Sequence, residues 1–282
     1  MKSAGNIETP SGKDTAGENF PVGSFLLPAA LRPHVAAFYE FARAADDIAD
    51  NPALEPDDKI ARLNRMAEAI EGAHGDDPDL AKAHRMRESL AITGVTPRHC
   101  LDLLDAFRQD AAKSRYADWG ELIDYCMRSA APVGRYLMDL HGEDAALRPA
   151  ADALCNALQL LNHLQDCGED FRGMDRVYIP EPWLAEEGLG VEALAMAASP
   201  PGLRLVLDRM LDGVDELLNE AAPLAGRMKS RRLAMETAAI HAIARRLAIE
   251  LRRRDPLETK VKLGRTAYAA CMIQGIWKGL FR

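Results

Sequence analysis

Apolar residues recur with a helical period along nearly the whole of this 282-residue chain, and Pro and Gly punctuate the pattern. Runs of strictly alternating apolar and polar residues, which would indicate β-strands, do not stand out. The pattern predicts an all-α fold whose helices bury their apolar faces against one another. The first predicted helix begins near Pro28 or Pro33 and runs to about Asn51. The others cover about 56–73, 78–93, 97–115, 118–140, 144–170, 201–225, 230–254 and 264–280. A long loop is predicted over about 171–190, and a kink is predicted at Pro132.

The helical pattern and its interruptions by Pro and Gly predict one helical domain over 20–282, preceded by a disordered leader at 1–19. The leader lacks the apolar core of a secretory signal. No window approaches 18 uninterrupted apolar residues, so we expect no helix that spans a membrane. The five Cys are dispersed, which favours a reducing compartment over a disulfide framework. We therefore expect a cytoplasmic location.

The charge balance limits the class of ligand. The chain has 35 basic and 43 acidic residues, a net charge of −8. Nucleic-acid binding needs a basic face, so this balance argues against a nucleic-acid partner. The question is then whether some of the carboxylates are grouped for a purpose.

A first acidic motif lies on the first predicted helix. Tyr39, Arg43, Asp46 and Asp50 fall within about 60° of one another around the helix axis, with Asp47 on the flank. Most of their neighbours are apolar, and carboxylates one turn apart repel each other. The group therefore needs a counter-charge, which Arg43 or a divalent cation would supply.

A second acidic motif repeats this D-x-x-x-D spacing on the helix predicted at 144–170. Gln159, Asn162, Asp166 and Asp170 form one stripe among apolar residues. Mg²⁺ is usually held by one or two carboxylates together with waters and substrate phosphates. Two facing helices of this kind would hold Mg²⁺ ions with a diphosphate between them. The alternative is a pair of solvated acidic helix faces.

These motifs resemble the squalene/phytoene synthase family, the head-to-head isoprenoid synthases. The likeness begins at about Phe20. It rests on Ser24-Phe25, Phe38-Tyr39-x-Phe41-x-Arg43-x-x-Asp46-Asp47-Ile48-x-Asp50, Tyr125-Cys126, Gln159-Leu-x-Asn162-x-x-x-Asp166-x-x-Glu169-Asp170 and Arg176-x-Tyr178-x-Pro180. The resemblance implies an isoprenoid-synthase fold with a central cavity and a Mg²⁺-dependent reaction on a prenyl diphosphate.

The resemblance also implies roles for single residues. Two or three Mg²⁺ ions would be bound by Asp46, Asp50, Asn162, Asp166 and Asp170. The substrate would be bound by Ser24, Phe25, Arg43, Asp47, Asn162, Arg176, Tyr178 and Lys260, with Lys262 as the alternative to Lys260. Catalytic roles fall to Tyr39, Arg43, Tyr125, Ser129 and Gln159. Of these, Tyr39, Tyr125 and Ser129 are candidates for placing a water molecule, and for each the alternative is a buried hydroxyl bonded to the backbone.

Departures from the family pattern narrow the expected reaction. Arg128 replaces a tyrosine in the middle helix, Gln165 replaces an arginine, and Asp175 replaces a glycine. These changes resemble the hydroxysqualene synthase branch of bacterial hopanoid biosynthesis. That branch implies that presqualene diphosphate is ionised and captured by water, without NADPH. The alternatives are a squalene or dehydrosqualene synthase that condenses two farnesyl diphosphates, and a non-catalytic assembly partner.

The last predicted helix suggests a further partner. Residues 268–282 mix apolar bulk with Trp277 and basic residues, as in helices that lie at a bilayer interface. Peripheral contact with the inner membrane face is therefore expected, and docking of this helix on the protein core is the alternative. Other enzymes of squalene synthesis are further expected partners.

Overall fold

The computed structural model describes residues 26–75 and 77–281. The predicted leader and the candidate residues Ser24 and Phe25 therefore lie outside the described residues. The described residues form helices, short 3-10 turns and no β-strand, which confirms the all-α prediction. The α-helices are α1 (Arg32–Ala49), α2 (Pro56–Ile70), α3 (Ala81–Thr93), α4 (Arg98–Ala112), α5 (Trp119–Ser129), α6 (Ala131–Leu140), α7 (Arg148–Met174), α8 (Glu181–Glu186), α9 (Pro201–Ala221), α10 (Leu224–Arg227), α11 (Arg231–Arg253) and α12 (Arg265–Leu280).

Contacts within the chain define two compact units, which divide between Lys113 and Ser114. The first unit contains α1 to α4, in which α1 packs on α3 and α4, and α2 packs on the same two helices. Large apolar side chains of α1, among them Phe38, Phe41 and Ile48, are buried. The apolar face of α1 thus fixes the rotation of this helix, and with it the direction of its acidic stripe.

The second unit is organised around α7. This helix of 27 residues packs against α5, α6, α9 and α11, and α11 in turn packs against α12. Contacts on several sides explain why α7 buries not only leucines but also Asn156, His163 and Gln165. The second acidic motif therefore lies on a helix that has neighbouring helices on several sides.

The loop predicted at 171–190 is partly wrong. Helix α7 continues to Met174, and α8 occupies part of the predicted loop. Gly173 costs helix stability, on the order of 1 kcal/mol, but it does not end the helix. The helix ends at Met174, and the next residue, Asp175, adopts the left-handed conformation with φ of 52°.

The interruption predicted near Pro132 is confirmed. Helix α5 ends at Ser129 and α6 begins at Ala131, with Ala130 between them in a non-helical conformation. Pro132 lies in the first turn of α6, where its missing N–H would have no partner within the helix.

Within the described part of the chain, no helix combines the length and the apolar character needed to cross a bilayer.

Candidate active site

In the first unit, the acidic motif lies at the C-terminal end of α1. Arg43 Nε is 3.3 Å from Asp47 Oδ1, one turn further along the helix. Asp50 is buried and ends the helix, and its N–H donates to the Asp46 carbonyl oxygen at 2.9 Å. Carboxylates are unfavourable at a helix C-terminus, because the helix dipole is negative there. This end of α1 therefore favours a cation.

A cation does reach this end of the helix. Lys59 of α2 donates its Nζ–H to the carbonyl oxygen of Ala49 at 2.8 Å. Together with Arg43, it offsets part of the negative charge at the end of α1. Tyr39 and Asp46 are half-buried in this motif.

In the second unit, the motif on α7 takes its cation from a distant part of the chain. Lys260 Nζ lies 2.7 Å from Asp166 Oδ1 and 3.1 Å from Glu169 Oε2. Burial lowers the pKa of Lys260, but the bonds to Asp166 and Glu169 outweigh it and raise the pKa above its usual value. Of the two lysines considered from the sequence, Lys260 is thus the one against this motif, bonded to carboxylates.

Gln165 explains how Lys260 reaches α7. Its Nε2 donates to the carbonyl oxygen of Val261, which attaches the segment after α11 to the middle of α7. Gly168 allows the close approach, since a Cβ there would lie 2.8 Å from Leu257 Cδ2. Gln165, which departs from the family pattern, therefore attaches the segment that carries Lys260 to α7 beside the motif.

The turn after α7 positions Arg176. Asp175 adopts the left-handed conformation that glycine adopts most readily, and Arg115 contacts both its carboxylate and its carbonyl oxygen. Arg176 is buried, its N–H donates to the Asp170 carbonyl oxygen at 3.2 Å, and Val177 N–H donates to the Ser114 carbonyl oxygen at 2.9 Å. Backbone hydrogen bonds to Asp170 and Ser114 thus hold the segment that contains the predicted substrate contacts, Arg176 and Tyr178.

Four buried rings lie together in the second unit. Ring centroids of Tyr116, Tyr125 and Tyr178 are 5.5 to 5.7 Å apart, and His163 stacks on Tyr178 with centroids at 3.6 Å. Burial lowers the pKa of His163 to about 3, and the charge of Arg176 adds to this effect. The imidazole is therefore neutral at physiological pH.

Tyr125 and Tyr178 were predicted as site residues from the sequence, whereas Tyr116 and His163 were not. His163 packs against Tyr178, which is a predicted site residue. Ser129 lies at the end of α5, and its Oγ is buried without a hydrogen-bond partner among the described residues. Arg128, the replacement for the family tyrosine, pairs instead with Asp124 at 2.8 Å.

The structure thus keeps each predicted set together within its own unit. Tyr39, Arg43, Asp46, Asp47 and Asp50 share α1. Gln159, Asn162, Asp166 and Asp170 share α7, Lys260 lies against Asp166, and Arg176 and Tyr178 follow just beyond the helix. The functional roles of these residues stay predictions.

The donors present suit a hard cation. Among the described residues, no three His, Cys, Asp or Glu side chains are grouped closely enough to hold a metal ion. Mg²⁺ needs fewer protein ligands than that, because waters and phosphate oxygens complete its shell. Asp166 and Glu169 already converge on a cation, the ammonium of Lys260. Carboxylate oxygens are the donor type that Mg²⁺ binds, so the residues present fit the ion by their chemistry.

Comparison with known proteins agrees with the motifs. The sequence profile of the family described as squalene/phytoene synthase matches residues 14–267. A hydroxysqualene synthase of Rhodopseudomonas palustris is 44% identical over 93% of this chain and 88% of its own length. A hydroxysqualene synthase of Zymomonas mobilis is 40% identical over 89% of this chain and 84% of its own length.

Solved structures share the fold. A squalene synthase from Alicyclobacillus acidocaldarius superimposes with a TM-score of 0.72 and 28% identity, over 82% of this chain and 87% of that chain. A dehydrosqualene synthase superimposes with a TM-score of 0.79 and 22% identity, over 93% of this chain and 92% of that chain. These similarities confirm the isoprenoid-synthase fold predicted from the motifs.

Proposed function

The chain belongs to the squalene/phytoene synthase family, and we propose that within it the chain converts presqualene diphosphate to hydroxysqualene. The observation that carries the proposal is 40% to 44% identity, over most of the chain, to relatives named hydroxysqualene synthase. The departures at Arg128, Gln165 and Asp175 support the same branch.

We expect each acidic motif to contribute ligands for Mg²⁺. Asp46 and Asp50 would do so from α1, and Asp166 and Asp170 would do so from α7, with Asn162 assisting. When bound, the ions neutralise the charge that develops on the leaving diphosphate. Since Lys260 pairs with Asp166, its ammonium has to share this carboxylate with a metal or leave it.

The basic side chains bind the diphosphate. Arg43 and Arg176 offer planar pairs of N–H donors that suit phosphate oxygens, and Tyr178 and Lys260 add single donors. Arg176 is buried, so its interaction with a phosphate is screened little by water. These contacts hold the leaving group while the carbon chain rearranges.

Loss of diphosphate leaves a cyclopropylcarbinyl cation, which opens to an allylic cation. The faces of Tyr125 and Tyr178 carry negative partial charge that stabilises such a cation. Capture by one water molecule then gives the alcohol, at the step where a squalene synthase would deliver hydride. We therefore propose that no nicotinamide cofactor takes part.

Incubation of the purified full chain with Mg²⁺ and no NADPH tests the proposal. The substrates are presqualene diphosphate and, in a parallel sample, farnesyl diphosphate. We expect hydroxysqualene from presqualene diphosphate, with ¹⁸O incorporated from labelled water, and no C30 product from farnesyl diphosphate. Formation of a C30 product from farnesyl diphosphate would favour the condensing alternative.

The non-catalytic alternative is tested in cells that depend on this chain. We expect Asp46→Asn and Asp166→Asn variants to stop pathway output. Unchanged output from variants that fold normally would favour a role as an assembly partner.

We also propose that α12 makes peripheral contact with an anionic bilayer surface. Ile273, Trp277 and Leu280 lie on one helix face and are 47% to 61% exposed, and Trp277 stacks on Phe281 with centroids at 5.0 Å. Another side of α12 packs closely on α11, since a Cβ on Gly275 would lie 2.2 Å from Ala239 Cα. The apolar side chains therefore project from the surface of their unit.

The charge of this region suits anionic lipids. Residues 260–282 contain five basic and no acidic residues, in a chain whose net charge is −8. An apolar face with Trp and flanking basic residues is typical of helices that lie in the headgroup region. A C30 substrate gives the contact a purpose, because such a lipid partitions into the bilayer.

Flotation with liposomes tests the contact. We expect the full chain to float with vesicles that contain phosphatidylglycerol and not with vesicles of phosphatidylcholine alone. The double variant Trp277→Ser, Phe281→Ser should lose this binding. A matched control, Ile92→Ser with Leu205→Ser, removes two exposed apolar side chains elsewhere and should float normally. Dimerisation through α12 without lipid would instead identify a second copy as the partner.

A further inference from the structure

His163 presents a buried polar atom that the fold leaves unused. Its Nε2 has no hydrogen-bond partner among the described residues, although the side chain is buried in the middle of α7. Leaving a buried polar group unpaired costs about 1 to 3 kcal/mol, so native proteins usually satisfy such groups with an ordered water or a ligand. A single water molecule suits an imidazole nitrogen in either tautomer.

The ring is held in one orientation. Its stack on Tyr178 has an interplanar angle of 14° and a centroid separation of 3.6 Å, and Tyr125 lies 6.0 Å away. Because the ring plane is fixed by this contact, the direction in which Nε2 can bond is fixed as well. A water bound there would be positioned rather than merely trapped.

Two further polar atoms on the contacting helices α5 and α7 are unpaired in the same way. Asn156 Oδ1 and Ser129 Oγ are buried without hydrogen-bond partners among the described residues. Asn156 precedes His163 by two helical turns and so lies on the same side of α7. Its Nδ2 is 3.3 Å from Met127 Sδ on α5. The contact between α5 and α7 thus contains a polar atom, Asn156 Oδ1, of the kind that holds ordered water.

His163 also lies among residues expected to bind the substrate. It follows Asn162 directly, it stacks on Tyr178, and the charge of Arg176 acts on its ring. From this geometry we infer that His163 Nε2 holds the water molecule that captures the rearranged cation. The inference rests on the proposed function, and it makes His163 a water-positioning residue.

The step balances without an added reagent. The bound water keeps one hydrogen bond to Nε2 and offers a lone pair to the allylic cation. A C–O bond forms, one O–H bond of the water breaks, and the proton passes to the released diphosphate. Neither carbon nor protein is oxidised or reduced.

The Phe variant His163→Phe separates this role from packing. Phenylalanine keeps an aromatic ring for the stack on Tyr178 but has no Nε2. We expect diphosphate release to stay within about threefold of the parent, because ionisation does not use the water. The share of product that is alcohol should fall about five- to tenfold, as expected for the loss of one hydrogen bond, with unsaturated C30 hydrocarbons in its place.

A second variant, His163→Gln, keeps a polar group that can bond a water and should recover part of the alcohol share. If His163→Phe does not fold, His163→Leu serves for the same comparison. An unchanged share of alcohol in a folded variant without Nε2 would overturn the inference. If the parent itself releases no diphosphate from presqualene diphosphate, the proposed function has failed instead.

A measurement on the unaltered protein does not depend on any variant. We expect a high-resolution crystal structure to show a water within about 3.2 Å of His163 Nε2. A protein atom bonded to Nε2 in that structure would contradict the inference.

Discussion

The two acidic motifs have the same spacing but obtain their positive charge differently. On α1, Arg43 pairs with Asp47 on the same helix, one turn away. On α7, Asp166 and Glu169 pair with Lys260, which is more than 90 residues further along the chain. A local pair forms whenever the helix forms, whereas the pair on α7 requires the segment after α11 to be in place.

The difference concerns how each motif would respond to a metal ion. Arg43 and Asp47 interact within one helix, and pairs of this kind contribute only about 0.3 to 0.5 kcal/mol. Lys260 contacts two carboxylates at once, and one of them, Asp166, is a predicted metal ligand. Metal binding should therefore disturb the charge pairing on α7 more than on α1.

The largest effect should come from removing a carboxylate from either motif. We expect Asp46→Asn and Asp166→Asn each to lower kcat/KM by about 100- to 1,000-fold, because stabilisation of the leaving group is lost. Steady-state kinetics with presqualene diphosphate measures this. Asp57→Asn and Asp212→Asn, which alter exposed carboxylates of the two units, are the controls. Full activity of one motif variant would show that only the other motif takes part.

A buried carboxylate that forms no ion pair among the described residues sharpens the comparison. Glu236 on α11 is buried, its Oε2 has no partner among the described residues, and burial raises its pKa from 4.5 to about 7. The folded protein thus binds this proton more tightly than the unfolded chain. The associated stability is fully present below pH 4.5 and is lost as the pH rises through 7.

Glu236→Gln should remove this pH dependence. Between pH 4.5 and pH 8 the free energy of unfolding of the parent should fall by about 3 kcal/mol relative to the variant. Urea unfolding at both pH values measures the difference. An equal difference between parent and variant at the two pH values would show that folding does not shift the pKa of Glu236.

The smallest effect concerns metal binding in the absence of substrate. Lys260→Gln should tighten binding of Mg²⁺ alone by about fivefold, since about 1 kcal/mol of competing attraction is removed. Arg43→Gln should change it by about twofold or less. Calorimetric titration with MgCl₂ makes the comparison, with Lys262→Gln as the control. Weaker binding in Lys260→Gln would mean that the ammonium assists the metal instead of competing with it.

The sequence predicted what depends on local pattern. Helix positions followed from apolar periodicity, the break before α6 followed from Pro132, and the acidic stripes followed from residue spacing. The pair between Lys260 and Asp166 could not be derived in this way, because it depends on contacts between distant segments. The ring cluster could not be derived from local pattern either. In it, the ring of Tyr116 lies against the ring of Tyr178, and the two segments are connected by the hydrogen bond from Val177 N–H to the Ser114 carbonyl oxygen. The overlong loop prediction failed because a single glycine, Gly173, does not end a helix, and α7 continues up to the left-handed Asp175.

Because the predicted site residues of the second unit share one helix, α7, the direction of each side chain depends on the number of residues that separate it from the others. Asn156, Gln159, Asn162, His163, Asp166 and Asp170 all share this helix. One inserted or deleted residue inside it would turn everything beyond that point by about 100° around the axis. A carboxylate would then face a neighbouring helix, and an apolar side chain would face Lys260. Changes in length should therefore be tolerated in the loops around α8 and excluded from α7.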